Sequence, residues 1–132
     1  MKVNIEKQSD GQYIAYNTSG YYVTLIGTGV TASEAKTDFE NSIAEVTQSY
    51  KDRGNFIPPE LREAHEYYFD IASLFDYYSM LNVSALGRYL GINESLMRQY
   101  RKGDAPISDK QLKRIEAGIH RLGLELAGLR LI

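Results

Sequence analysis

Residues 82–103 read NVSALGRYLGINESLMRQYRKG, and their order of apolar, turn and capping residues predicts the structure of this part of the chain. Leu86 and Leu90 give a first short helix an apolar face. Gly91 follows where the chain must turn sharply, because a residue without Cβ adopts a positive φ at little cost. Asn93 is a good N-cap for a second helix. Two short helices separated by a tight turn predict a helix-turn-helix.

Around this stretch, three features carry a family resemblance. They are residues 85–93, the Tyr-Arg-Lys-Gly ending at 100–103, and a further predicted helix over 108–119 after a proline-containing link. On these features, residues 70–122 resemble the five-helix lambda-repressor-like family. The resemblance implies that the second helix enters the major groove of double-stranded DNA.

Carried over position by position, the resemblance implies six DNA-binding residues. The base-reading positions would be Glu94, Ser95 and Gln99, and phosphate or guanine contacts would come from Arg98, Arg101 and Lys102. The same residues also fit an ordinary charged helix face that packs against protein.

Charge is divided unevenly along the chain. Residues 1–79 carry six Lys/Arg and twelve Asp/Glu, a net charge of −6, whereas residues 80–132 carry nine and five, a net charge of +4. This division favours contact between the basic part and an anionic polymer. Chance variation between two solvated surfaces is the other explanation.

The first seventy residues have the pattern of a small α+β domain. The predicted strands are residues 3–6, 13–16 and 21–26, and their short connections predict an antiparallel meander. A helix begins at Thr31, because Glu34 follows in capping-box spacing, and it extends to about residue 50. Residues 66–70 have strand composition and predict a fourth strand, although a helix over 60–80 fits the local helix propensity.

Three stretches of this domain carry a second resemblance. They are residues 1–7, the Asp-Gly-Gln-Tyr of 10–13, and the Gly-Val-Thr-Ala-Ser-Glu-Ala of 29–35 that opens the helix. The domain resembles the HicB antitoxin family, well over 1–50 and loosely over 51–70. The resemblance implies a degenerate ribonuclease-H-like fold. It also implies an acidic domain that covers a small basic RNA-cleaving toxin, with the C-terminal domain repressing the shared operon. Opposite charges would favour rapid association.

Candidate catalytic groups do not form a recognisable pattern. Ribonuclease H chemistry needs several carboxylates that converge on two metal ions. The candidates by residue type are Glu6, Asp10, Asp38 and Asp70, and no spacing forces them together. The two histidines lack metal-ligand spacing, and the chain has no cysteine. We therefore expect no enzyme activity, no catalytic residue, no metal site and no cofactor.

The C-terminal segment 119–132 is rich in leucine and ends in Leu131 and Ile132. The preceding helices already supply a core for a small domain, so this apolar surplus predicts a homodimer or higher homo-oligomer. A dimer suits DNA sites that are built from two half-sites. The alternative is that the segment folds back onto its own domain.

Together these patterns predict an α+β protein with an antiparallel β-β-β-α-β domain over residues 1–70 and an all-α helix-turn-helix domain over residues 71–132. The predicted function is that of a HicB-type antitoxin that also represses transcription. Its partners would be double-stranded DNA and a small basic toxin. A stand-alone regulator whose first domain senses a ligand or oligomerises, and a metal-dependent nuclease, are the rivals. Without a long apolar run or a signal-peptide pattern, we expect no membrane contact and a cytoplasmic location.

Overall fold

The computed structural model describes all 132 residues and divides them into two compact units, Met1–Met80 and Leu81–Ile132. The chain is an α+β protein with a four-stranded mixed sheet and five α-helices. None of these helices combines the length and the apolar character that crossing a membrane requires.

The elements follow one another in a simple order. The first unit contains β1 (Lys2–Lys7), β2 (Tyr13–Asn17), β3 (Ile26–Gly29), α1 (Ala32–Asp52), a 3₁₀ turn (Pro59–Leu61), β4 (Glu66–Phe69) and α2 (Ile71–Tyr77). The second unit contains α3 (Val83–Leu90), α4 (Glu94–Lys102) and α5 (Asp109–Ala127).

The sheet has the strand order β3-β2-β1-β4. The first three strands form the predicted antiparallel meander, but β4 lies parallel to β1, with Glu66 opposite Lys2. The prediction of an antiparallel fourth strand is therefore wrong. The reason is that α1 carries the chain back across the sheet, so that β4 runs in the same direction as β3 and β1. Parallel pairing needs such a helical crossover.

One buried cluster joins the sheet to α1. Val3 and Ile5 of β1 and Ala15 of β2 are fully buried, and they belong to the same core as Ala35 and Phe39 of α1. These residues follow the two-residue period of a strand and the four-residue spacing of a helix face. The amphipathic patterns therefore define the core of the first unit.

Helix α1 begins as its sequence predicts. The Glu34 N–H donates to Thr31 Oγ1 over 3.0 Å, which confirms Thr31 as the N-cap. The Glu34 carboxylate accepts in return from the Val30 N–H at 2.9 Å. Both contacts satisfy donors near a helix start that would otherwise lack partners.

The third strand lies later in the chain than predicted, because residues 21–25 form a loop and β3 begins at Ile26. Two buried polar side chains hold this loop. The Glu60 carboxylate accepts from the Tyr22 N–H at 2.6 Å, and Asn17 donates to the Val23 carbonyl at 2.6 Å. Backbone groups that pair with buried side chains need no strand partner.

Glycine explains why β3 lies where it does. A Cβ on Gly27 would lie 2.6 Å from Phe39 Cα and closer still to the Phe39 nitrogen. Only a residue without a side chain can therefore occupy this position against α1. The Gly-Thr-Gly run at 27–29 therefore lies inside β3, at the point where the strand packs against α1.

Helix α2 belongs to the first unit, so the chain divides after residue 80 and not near residue 70. Asp70 caps α2 and also accepts from the Lys7 N–H of β1 at 3.0 Å. Asp76 accepts from the Ala32 N–H of α1 at 2.7 Å. The helix begins at Ile71, where the second domain was predicted to start, but these two carboxylates attach it to the first unit. The second unit therefore has three helices, and residues 70–122, for which the resemblance implies five helices, contain four, namely α2 to α5.

Candidate nucleic-acid interface

Helices α3 and α4 are joined by a three-residue turn. Gly91 adopts a left-handed conformation, with φ at 70°, and ends α3. Ile92 is buried beneath the turn. Asn93 caps α4 through its Oδ1, which accepts from the Leu96 N–H at 3.1 Å. The local chemistry thus has the form predicted from the sequence: a glycine for the turn, an apolar plug and an asparagine N-cap.

The two helices approach closely at Gly87. A Cβ on this residue would lie 3.0 Å from Met97 Cγ and 3.1 Å from the Ile92 carbonyl oxygen. Met97 and Tyr100 are buried, so this side of α4 faces the core of its unit. The opposite side of α4 is directed to solvent.

Helix α5 packs against the end of α3 and the start of the turn. Ile115 is buried, and Gly118 leaves room for the Leu90 side chain. Arg114 donates to the Leu90 and Gly91 carbonyl oxygens at 3.1 and 3.0 Å. A cation at this place satisfies carbonyls that the end of α3 leaves without partners and lies favourably in the helix dipole. The sequence contains no local signal for this contact, because Arg114 lies more than twenty residues away.

A second contact fixes α5 to α3. The Tyr89 hydroxyl donates to Glu125 and accepts from Arg121 Nε, with both distances at 3.2 Å. The Arg121 guanidinium also lies over the Tyr89 ring, 5.0 Å from its centroid. Two separate sets of contacts, one from Arg114 and one from Arg121 and Glu125, therefore hold α3 and the start of the turn against α5.

The six predicted DNA-binding residues all lie on α4. Five are exposed, namely Ser95, Arg98, Gln99, Arg101 and Lys102, and Glu94 is partly exposed. The side chains of Ser95, Gln99, Arg101 and Lys102 have no hydrogen-bond or ion-pair partner. Their polar groups are thus available to a ligand.

The other two predicted residues contact α3. Glu94 forms an ion pair with Arg88, and Arg98 donates to Ser84 Oγ at 2.9 Å. The Glu94–Arg88 pair joins the first turn of α4 to the last turn of α3. The Arg98–Ser84 pair joins the middle of α4 to the first turn of α3. Both residues were predicted to contact DNA, and their partners on α3 were not predicted, because the helical period does not extend across a turn.

The α4 surface is strongly cationic. Arg98, Arg101 and Lys102 lie on it, and its single carboxylate, Glu94, is neutralised by Arg88. The unit as a whole carries nine Lys/Arg and five Asp/Glu, a net charge of +4. Exposed cations of this density favour contact with phosphates.

The carboxylates considered for nuclease chemistry are each engaged locally. Asp38 accepts from the Thr28 N–H at 2.8 Å, Asp10 from the Gln12 N–H at 2.9 Å, and Glu6 from the Tyr16 hydroxyl at 2.9 Å. Asp70 caps α2. No three His, Asp or Glu side chains are grouped so that they could hold a metal ion. The structure therefore brings no two-metal centre together from these residues.

The apolar C-terminal segment does not fold back onto the second unit. Leu124 is 77% exposed and Leu131 95% exposed, and Leu126 and Leu129 are exposed as well. Leu124 and Leu126 lie on helix α5, and Leu129 and Leu131 follow it in an irregular conformation. An exposed apolar surface of this kind marks an interaction site.

The second unit thus combines an exposed basic helix with an exposed apolar C-terminal segment. Comparison with models of protein families, with curated proteins and with solved structures found no match. The functional conclusion for this chain therefore rests on the geometry and charge of α4 and on the residue patterns described above.

Proposed function

We propose that the second unit is a helix-turn-helix of the lambda-repressor-like type and that it binds double-stranded DNA. One observation carries the proposal: α4 buries Met97 and Tyr100 and leaves Gln99, Arg101 and Lys102 exposed without partners. The major groove admits one α-helix. A glutamine can bond the N6 and N7 atoms of adenine, and an arginine can bond guanine or a phosphate.

The alternative use of this surface is packing against another protein. The centre of a protein interface is dominated by tryptophan, tyrosine and arginine side chains that are buried in well-packed pockets, and α4 exposes two arginines but no aromatic ring. The exposed positions of α4 carry only serine, glutamine, arginine and lysine. Their composition favours a polyanion over a protein partner.

We propose further that the chain acts as a repressor in a dimeric form. Its apolar C-terminal residues, including Leu124, Leu129 and Leu131, would be covered by the same residues of a second copy. A two-fold dimer presents two recognition helices to two half-sites of an operator. Such an arrangement doubles the number of phosphate contacts.

For the first unit we propose the role of a HicB-type antitoxin domain with a degenerate ribonuclease-H-like fold. The motifs of residues 1–35 and the net charge of −6 support this proposal, because an acidic surface attracts a cationic nuclease.

The rival is a stand-alone regulator. A small basic open reading frame beside the gene separates the two. Co-purification of its product with this chain, and rescue of growth when both are expressed, would support the antitoxin; a neighbour that neither binds nor inhibits growth contradicts it.

The DNA-binding proposal is tested with two α4 variants and a duplex selected by the wild type from a random pool. Gln99→Ala should lose about 1–3 kcal/mol of discrimination between the selected and a mixed-sequence duplex. Arg101→Ala should weaken both duplexes alike and reduce the slope of log affinity against log salt by about 1. The matched control is Lys51→Ala, which removes an exposed cation from α1 in the first unit. If both α4 variants bind as the wild type does at fixed salt, α4 is not the recognition helix.

A further inference from the structure

Arg88 and Glu94 form the only ion pair between charged side chains in the second unit. Arg88 lies in the last turn of α3, and Glu94 is the first residue of α4. The Arg88 side chain is 65% exposed and that of Glu94 38% exposed. An exposed pair contributes little to folding stability, so it can open at small cost when a ligand offers each partner a better contact.

The position of this pair gives it a consequence for DNA binding. The first turn of a recognition helix approaches base edges, with phosphates on either side. An unpaired carboxylate at this point would repel the phosphates. With Arg88 beside it, the pair has no net charge. A cytosine N4 amino group is the base donor that a glutamate accepts from.

We propose that Arg88 and Glu94 form a charge-pair switch that couples base recognition to an additional phosphate contact. This inference rests on the proposed DNA-binding function and changes the predicted role of Glu94. On a non-cognate sequence the pair stays closed, because moving Arg88 to a phosphate would leave Glu94 unpaired near other phosphates. On a cognate sequence a base donor takes the place of Arg88 at the carboxylate. Arg88 then pairs with a phosphate.

The switch makes Glu94 a specificity-determining residue that acts partly through Arg88. Affinity for non-specific DNA is lower than it would otherwise be, because Arg88 is paired with Glu94 and does not contact a phosphate. Specific affinity gains both the base contact and the phosphate contact. Arg101 and Lys102 have no internal partner, so they contact phosphates on any sequence.

The test is the salt dependence of binding to a mixed-sequence duplex for wild type, Glu94→Gln, Arg88→Gln and the double variant. Glutamine lacks the charge that holds Arg88, so Glu94→Gln should bind more tightly. Its slope of log affinity against log salt should steepen by about 0.9. Between about 50 and about 200 mM salt, the variant should therefore lose about 3.5-fold more affinity than the wild type loses. Arg88→Gln should weaken binding to this duplex, because it leaves the Glu94 carboxylate unpaired, but it removes no phosphate contact and should leave the slope close to that of the wild type. On a duplex selected by the wild type, Glu94→Gln and wild type should have the same slope.

The double variant separates the switch from a general effect of charge. If Glu94→Gln steepens the slope as much in the Arg88→Gln background as in the wild type, the effect does not pass through Arg88 and the switch is overturned. An unchanged slope in the single variant Glu94→Gln also overturns it. If the wild type binds no duplex, or if Gln99→Ala and Arg101→Ala both bind as the wild type does, the proposed function fails and the switch with it. If Arg101→Ala weakens binding but Glu94→Gln leaves it unaltered, the switch is overturned and the proposed function stands.

Discussion

Substitution of Gly27 by alanine adds a single methyl group, but it should lower the free energy of unfolding of the first unit strongly. The added Cβ would lie 2.6 Å from Phe39 Cα and nearer to the Phe39 nitrogen and the Ala35 carbonyl oxygen. All three obstacles are backbone atoms of α1, so no change of rotamer relieves them. Strand β3 must move away from the helix by about 1 Å, a strain of the kind that core overpacking produces.

That displacement also disturbs the hydrogen bonds between β3 and α1. The Thr28 N–H donates to Asp38 at 2.8 Å, and Ser42 donates to the Ile26 carbonyl at 3.2 Å. Overpacking costs about 1–3 kcal/mol, and each lost hydrogen bond costs about 1 kcal/mol more. We therefore expect Gly27→Ala to lower the free energy of unfolding of the first unit by about 3–5 kcal/mol.

The matched control is Gly118→Ala in α5. Its Cβ would overlap Leu90 Cδ2, which is the end of a flexible side chain that can move. Alanine also has a helix propensity that exceeds that of glycine by about 1 kcal/mol. The two effects oppose each other, so the free energy of unfolding should change by no more than about 1 kcal/mol.

The assay is urea denaturation followed by circular dichroism, with hydrogen exchange of peptides from β3 and α1 to assign the loss to the first unit. Gly27→Ala should shift the midpoint strongly and raise exchange in these peptides. Gly118→Ala should leave both close to the wild type. Equal midpoints for Gly27→Ala and wild type would refute the close packing of β3 on α1.

Two further predictions concern other parts of the chain. Sedimentation should show a dimer for the wild type at micromolar concentration and a monomer for the Leu129→Lys/Leu131→Lys variant, with unchanged circular dichroism; a monomeric wild type contradicts the proposed dimer. Burial raises the pKa of Tyr67 above its usual value of about 10, and the hydrogen bond to Glu40 and the charge of Glu40 raise it further. Because the folded state favours the neutral phenol, this contribution to stability is complete below about pH 10 and is lost as pH rises through the folded pKa. Tyr67→Phe should have a shallower loss of stability above pH 10 in urea titrations, and an identical pH profile would exclude the effect.

Signals that act within a few residues were predictable from the sequence alone. Thr31 and Asn93 cap their helices, and Gly91 takes the left-handed turn. Each satisfies or reshapes backbone that lies within three residues of it, so the chain around it contains all the necessary information. The spacing and composition of apolar residues likewise located β1, β2, β4, α1, α3, α4 and the start of α5, whereas the predicted third strand overlaps β3 only at Ile26.

Contacts between residues of different elements depend on how those elements pack, and they could not be predicted from local patterns. The parallel pairing of β4 depends on the path of α1, and the attachment of α2 to the first unit depends on Asp70 and Asp76 meeting Lys7 and Ala32. The pairing of Glu94 with Arg88 likewise depends on how α4 meets α3. A sequence pattern records which residues are apolar, charged or able to cap. It does not record which distant group will lie beside them, because that depends on how whole elements pack.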